Sequence, residues 1–135
     1  MRVVLDSNVY VSALTLPGGI ADTVLTAALD GAYVALLSQP ILGETLGVLG
    51  RKFSRDKEEL ARVALFLSEL TEHVKPRHRI AVLADDPDNR IIECALEGGA
   101  DLIVTGDRAM LRVGSFEGVE IVSLRAFLTR LTSRC

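Results

Sequence analysis

The sequence predicts an α/β domain in which a parallel β-sheet is covered by helices on both faces. Two observations predict it. Short apolar runs alternate along the chain with longer segments whose apolar residues recur at helical spacing. The short runs are also apolar throughout rather than at every second position, as strands buried on both faces require. The length of 135 residues is that of one domain, spanning 1–135, and 49% hydrophobic with 24% charged residues is an ordinary globular composition. Such a chain buries a core without help from disulfides.

The elements follow in order. Val3 to Leu5 is a short apolar run closed by Asp6-Ser7-Asn8, a buried strand followed by a polar turn. Pro17-Gly18-Gly19 breaks the chain, and Ile20, Val24, Leu25, Ala28 and Leu29 then mark a helix stopped at Gly31. Tyr33 to Leu37 reads as a central strand. Ser38 can cap the next helix, with Pro40 in its first turn, and that helix carries Glu44 and runs to about Lys52. Asp56 caps a third helix from Lys57 to about His73, with Leu60, Val63, Ala64, Leu67 and Leu70 as its apolar stripe. Pro76 ends it, and Ile80 to Ala84 is strand-like. Asp85-Asp86-Pro87-Asp88 is a turn and helix start; Ile91, Ile92, Ala95 and Leu96 form the apolar face, and Gly98-Gly99 stops the helix. Leu102 to Val104 is a strand ending in Thr105-Gly106-Asp107, followed by a short helix with Met110 and Leu111. Val119 to Val122 is the last strand and Leu124 to Leu131 the last helix.

Right-handed crossovers in such a sheet place the strand C-terminal ends along one edge, where ligands bind. Asp6 directly follows the first strand, and Asp107 follows the Leu102–Val104 strand by two residues. Glu44, in the first turns of the helix after the second strand, and Asp88, at a helix start, can face the same edge. Any one of these acids is explained equally well as a cap or turn former; their joint placement is what points to a site. Unpaired carboxylates packed together repel, and a bound hard cation removes that repulsion. An oxygen-only ligand set suits Mg²⁺ or Mn²⁺ rather than Zn²⁺. Such ions commonly serve phosphoryl transfer or phosphodiester hydrolysis by activating water and stabilising the departing oxygen.

Other features bound the function. Cys94 falls on an apolar helical face and Cys135 is the last residue, which fits neither a metal-ligand spacing nor a disulfide framework and suggests a reducing cytoplasm. Met1-Arg2-Val3-Val4-Leu5-Asp6 reads as a strand rather than a signal peptide, so the domain is expected to start at residue 1. No stretch approaches the apolar length of a membrane span. The net charge of −3 rises to about +1 for the rest of the chain once four cation-holding carboxylates are set aside. Basic residues cluster at Arg51, Lys52, Arg55 and Lys57, and at Lys75, Arg77 and Arg79; a solvated surface accounts for either cluster by itself. His73 and His78 lie near a helix end and a basic patch, and neither is assigned a catalytic role. No Ser-His-Asp or Cys-His arrangement is evident, and Gly18-Gly19 does not make a phosphate loop.

Four segments together resemble the PIN-domain nucleases, particularly the bacterial and archaeal VapC-like toxins of toxin–antitoxin pairs. They are Val3-Val4-Leu5-Asp6-Ser7-Asn8-Val9, Glu44, the run from Asp85 to Ala95, and the run from Ala100 to Asp107. The resemblance implies a three-layer α/β/α sandwich with a central parallel sheet, and a metal-dependent endoribonuclease acting on single-stranded RNA. Its acid positions fall on Asp6, Glu44, Asp88 and Asp107, which would be both the catalytic and the metal-holding set, with Asn8 and Thr105 as supporting polar residues. Ser7 stands where Thr is usual and keeps the hydroxyl. The resemblance implies Asp88 as the third acid, because Ile91 and Ala95 follow it by three and seven residues as the family pattern expects; Asp86 is the reserve. The resemblance also implies a small protein antitoxin that blocks the crevice, and often a homodimer.

Two other classes compete. A non-catalytic RNA- or protein-binding PIN-like domain would gain little from clustered negative charge. A phosphotransfer enzyme with Asp6 as nucleophile wants a second Asp two residues on, where this chain has Asn8, which cannot serve as an acid–base group.

Overall fold

The computed structural model describes residues 1–133; the expectation for Cys135 lies outside them. The elements are β1 (Arg2–Leu5), α1 (Ser7–Thr15), α2 (Ile20–Leu29), β2 (Val34–Ser38), α3 (Gln39–Lys52), α4 (Lys57–Leu70), β3 (Glu72–Val74), α5 (Asp86–Gly98), β4 (Leu102–Val104), α6 (Arg108–Val113), β5 (Ser115–Phe116), β6 (Val119–Val122) and α7 (Leu124–Thr132). One sheet runs in the order β3-β2-β1-β4-β6-β5, and helices flank it to complete an α/β/α sandwich. Every neighbouring pair is parallel except β5 with β6.

The continuous apolar runs behave as predicted. Val3, Val4 and Leu5 of β1, Leu36 and Leu37 of β2, and Leu102 to Val104 of β4 are all buried. Tyr33, next to β2, packs edge-on against Phe127 of α7 with ring centroids 4.9 Å apart, which ties that end of the sheet to the last helix. From β1 the chain goes to β2 on one side, while β4 lies on the other side. The junction of β1 and β4 is therefore a switch point, where a crevice opens beyond the strand ends.

The structure departs from the sequence expectations in four places. Ser7–Thr15 is a helix rather than a polar turn. Its β-branched residues disfavour a helix intrinsically, but Val9, Tyr10 and Ala13 fall on one face and are buried, and tertiary packing overrides the propensity. The helix expected to reach His73 ends at Leu70, and Glu72–Val74 becomes an edge strand on β2, with Val74 buried. Ile80–Ala84 is no strand. Its backbone groups are taken by side chains of α5 instead of a ladder. Finally, β5 forms an antiparallel hairpin with β6 through Glu117 and Gly118, both at positive φ (46° and 86°), the pattern of a two-residue hairpin turn.

No single helix among the described residues is long and apolar enough to cross a membrane. The α1–α2 pair passes on length and composition together, but it is bent by 101° at its break and contributes buried side chains to the core.

Candidate metal centre

A cavity of about 410 Å³ lies beyond the β1 and β4 ends. Its walls carry the carboxylates of Asp6, Glu44, Asp85, Asp86, Asp88 and Asp107, with Val11, Ile41, Val48 and Ile91 as apolar lining.

Asp6 is placed by the sheet itself. Its backbone N–H donates to the Val104 carbonyl at 2.9 Å, continuing the β1–β4 pairing one residue past the strand. The side chain sits at the N-cap position of α1 yet caps nothing. Instead it accepts from the Thr105 hydroxyl at 2.6 Å, the Ser7 hydroxyl at 3.3 Å and the Asn8 amide at 3.5 Å. Burial pushes its pKa up; the Thr105 and Ser7 hydrogen bonds offset this in part, and the Asp107 charge adds to the rise.

Thr105 joins two of the acids. Fully buried at the end of β4, it donates to Asp6 while its Oγ1 accepts the Asp107 backbone N–H at 3.0 Å. Asp107 in turn caps α6, with Oδ1 accepting from Ala109 N at 2.7 Å and Met110 N at 3.2 Å. The cap uses one oxygen and leaves Oδ2 for the crevice, so capping and site-building are not alternatives here.

Asp88 lies among these acids. It stands in the first turn of α5 and is only 7% exposed. No hydrogen bond from the described residues reaches its carboxylate. Its pKa is pushed up to about 7, first by burial and then by the charges of Asp107, Asp85, Asp6 and Glu44. Carboxylate oxygens of Asp85, Asp88 and Asp107 lie within 4.8 Å of one another. Glu44 is exposed and reaches the crevice from α3.

Asp85 is the acid that the sequence reading passed over as turn chemistry. Asp86, the reserve candidate, borders the cavity but faces Arg90 at 3.2 Å and Arg79 at 3.8 Å, and it is not among the three acids that converge. Helical spacing explains the difference: Asp88 shares the buried face of α5 with Ile91, Ile92 and Ala95.

The segment that carries Asp85 is held by α5. Asn89, buried, accepts from Val82 N at 3.2 Å and Leu83 N at 2.9 Å and donates to Leu83 O at 3.0 Å. Glu93 accepts from Ile80 N at 2.7 Å, and Arg90 donates to Ile80 O at 2.7 Å while pairing with Glu93 at 2.8 Å. The sequence signal for this lock is the polar spacing Asn89-Arg90-x-x-Glu93, polar residues one helical turn apart beside the apolar Ile91, Ile92 and Ala95.

The donor set fits a hard divalent cation. Every candidate ligand is a carboxylate oxygen, and Asp88 is buried among acids with no donor to answer it. His73 and His78 do not line the cavity, and Cys94 is a buried free thiol pushed up to about 12 by burial, so among the described residues no histidine or cysteine is at hand as a ligand. Asn8 donates to Asp6, as an amide at this position should, and offers no acid–base function.

The fold and the crevice define an α/β/α domain with an acidic centre at the switch point of its sheet. The chain belongs to the PIN domain family, whose sequence profile matches residues 2–109. It is 30% identical over 115 residues to an uncharacterised protein of Methanocaldococcus jannaschii, covering 82% of this chain and 74% of that one. Its fold is similar to that of VapBC-1 from nontypeable Haemophilus influenzae, with a TM-score of 0.66 and 15% identity, covering 93% of this chain and 99% of that one. It is also similar to VapC20 of Mycobacterium tuberculosis, a sarcin-ricin loop cleaving toxin, with a TM-score of 0.59 and 18% identity, covering 87% of this chain and 98% of that one.

Proposed function

We propose that this chain is a single PIN domain acting as a Mg²⁺- or Mn²⁺-dependent endoribonuclease on single-stranded RNA, and that it is the toxin of a toxin–antitoxin pair. The observation that carries the reading is the buried, donor-less Asp88 within reach of Asp85 and Asp107. Cleavage of an RNA loop by a protein of similar fold supports the substrate class.

Asp6, Asp88 and Asp107 would hold the cation, with Asp85 beside them and Glu44 closing the shell from α3. Once bound, such an ion lowers the pKa of water and offsets the charge that builds on the phosphate. The chain's own groups prepare for this. Thr105 fixes the Asp6 carboxylate and the Asp107 backbone relative to each other through one hydroxyl. The α6 cap orients Asp107, and the Asn89–Arg90–Glu93 lock sets the segment bearing Asp85. Because Asp88 titrates near neutral pH, loading the site releases a proton.

The toxin role would operate in a reducing cytoplasm, with a protein antitoxin and a second copy of the chain as partners. Likeness to VapBC-1 supports such a partner, and Phe53, Leu65 and Phe66 on and beside α4 supply exposed apolar surface for one.

The test is cleavage of a single-stranded RNA with Mn²⁺ or Mg²⁺, repeated in EDTA. Cleavage that stops on chelation is expected. Unchanged cleavage in EDTA, or none by the wild type in any metal, would leave the non-catalytic binding domain as the better account.

A further inference from the structure

Building on the ribonuclease reading, we propose that Lys52 contacts a backbone phosphate of the RNA strand flanking the cut. Glu44, Val48 and Lys52 all line the cavity and follow one another at four-residue steps, so they form a single stripe along α3. The stripe runs from the acidic centre to the crevice mouth, where Lys52 is exposed. Eight residues of helix span ~12 Å.

Among the described residues two cations border the cavity, Arg90 and Lys52, and of these only Lys52 is without an ion pair. Arg90 is held by Asp86 at 3.2 Å, Glu93 at 2.8 Å and the Ile80 carbonyl at 2.7 Å, with its side chain 11% exposed. Lys52 has no ion-pair partner among the described residues. Six carboxylates repel a polyanion, and an unpaired ammonium at the rim counters that field where the strand enters. With its backbone ~12 Å along the helix from that of Glu44, Lys52 is placed for a phosphate beside the scissile one. Lys52 is therefore a substrate-binding residue for strands and irrelevant to a diester too short to reach it.

The experiment measures kcat and KM in Mn²⁺ on a ten-nucleotide single-stranded RNA over a range of KCl, together with turnover of bis(p-nitrophenyl) phosphate. Lys52→Ala is expected to lower kcat/KM on the RNA about five-fold at low salt, through KM, the size of one solvent-screened charge contact. Its log–log salt slope should shrink by about 0.7. Lys52→Arg should restore both, Lys75→Ala should change neither, and turnover of the small diester should be unchanged in every variant. An unaltered slope in Lys52→Ala, or a loss in kcat at constant KM, would overturn the assignment while leaving the ribonuclease reading in place. A wild type inactive on RNA in every metal would overturn both.

Discussion

Asp88 and Glu93 stand on the same helix, five residues apart, and are almost equally buried, at 7% and 6% exposure. Their surroundings are opposite. Glu93 has Arg90 at 2.8 Å and the Ile80 N–H at 2.7 Å, so its charge is answered by a cation and a donor. Asp88 faces Asp85 and Asp107, and no donor among the described residues reaches it. The same helix thus satisfies one buried carboxylate fully and leaves the other among like charges. Burying a charge without a partner is costly. The chain builds the remedy for Glu93 one turn away and not for Asp88, and a bound cation at Asp88, as proposed above, would supply it.

Several substitutions would break or sharpen this contrast. The largest effect belongs to the crevice acids. Asp6→Asn should reduce RNA cleavage at least about 10³-fold, the several kcal/mol of charge stabilisation that a metal provides, while circular dichroism stays that of the wild type. Full activity in this variant would refute the site. On the paired side, Glu93→Ala strands the Arg90 guanidinium and should cost about 3 kcal/mol, seen as a fall in Tm of about 10 °C.

Asp88→Asn should do the reverse of Glu93→Ala. The folded-state pKa of Asp88 is raised to about 7, so the folded protein holds a proton that the unfolded chain gives up near pH 4. Metal-free stability then declines as pH rises from about 4 to about 7, and the full penalty is present above that. Melting in EDTA should therefore show Asp88→Asn about 5 °C more stable than wild type at pH 8 and equal to it below pH 4. Equal melting at pH 8 would remove the repulsion from the account. The smallest effect is expected at the lock. Asn89→Ala frees the Val82 and Leu83 amides, so hydrogen exchange there should accelerate while global stability drops by about 1 kcal/mol.

The same contrast marks what was legible in the sequence. Asp6 and Asp107 could be placed because each closes an apolar strand, and strand ends need no further information to locate. Asp88 could be reached only through the resemblance, whose pattern sets Ile91 and Ala95 three and seven residues after the acid. Asp85 could not, because it precedes the helix and its position depends on bonds from Asn89, Arg90 and Glu93 to the chain before it. Those bonds also explain why Ile80–Ala84 misleads: its apolar residues suggest a strand, but its backbone partners are side chains, and side-chain partners leave no periodic trace. Helix α1 was hidden for a different reason. Val9, Tyr10 and Val11 favour a strand locally, and only burial against the rest of the molecule selects the helix. The β5 hairpin did leave a signal, since Gly118 provides the positive φ that its turn requires.

The proposed role of Asp88, which no donor among the described residues reaches, is to help hold a divalent cation beside Asp85 and Asp107. It is tested most directly by titrating Mn²⁺ into the wild type and into Asp88→Asn at pH 7 by isothermal calorimetry, in two buffers of different ionisation enthalpy. The account predicts saturable Mn²⁺ binding by the wild type with release of a fraction of a proton, and an affinity at least about ten-fold weaker in the variant, with the proton release lost. Equal Mn²⁺ affinity in the two proteins, or no binding by the wild type, would contradict it.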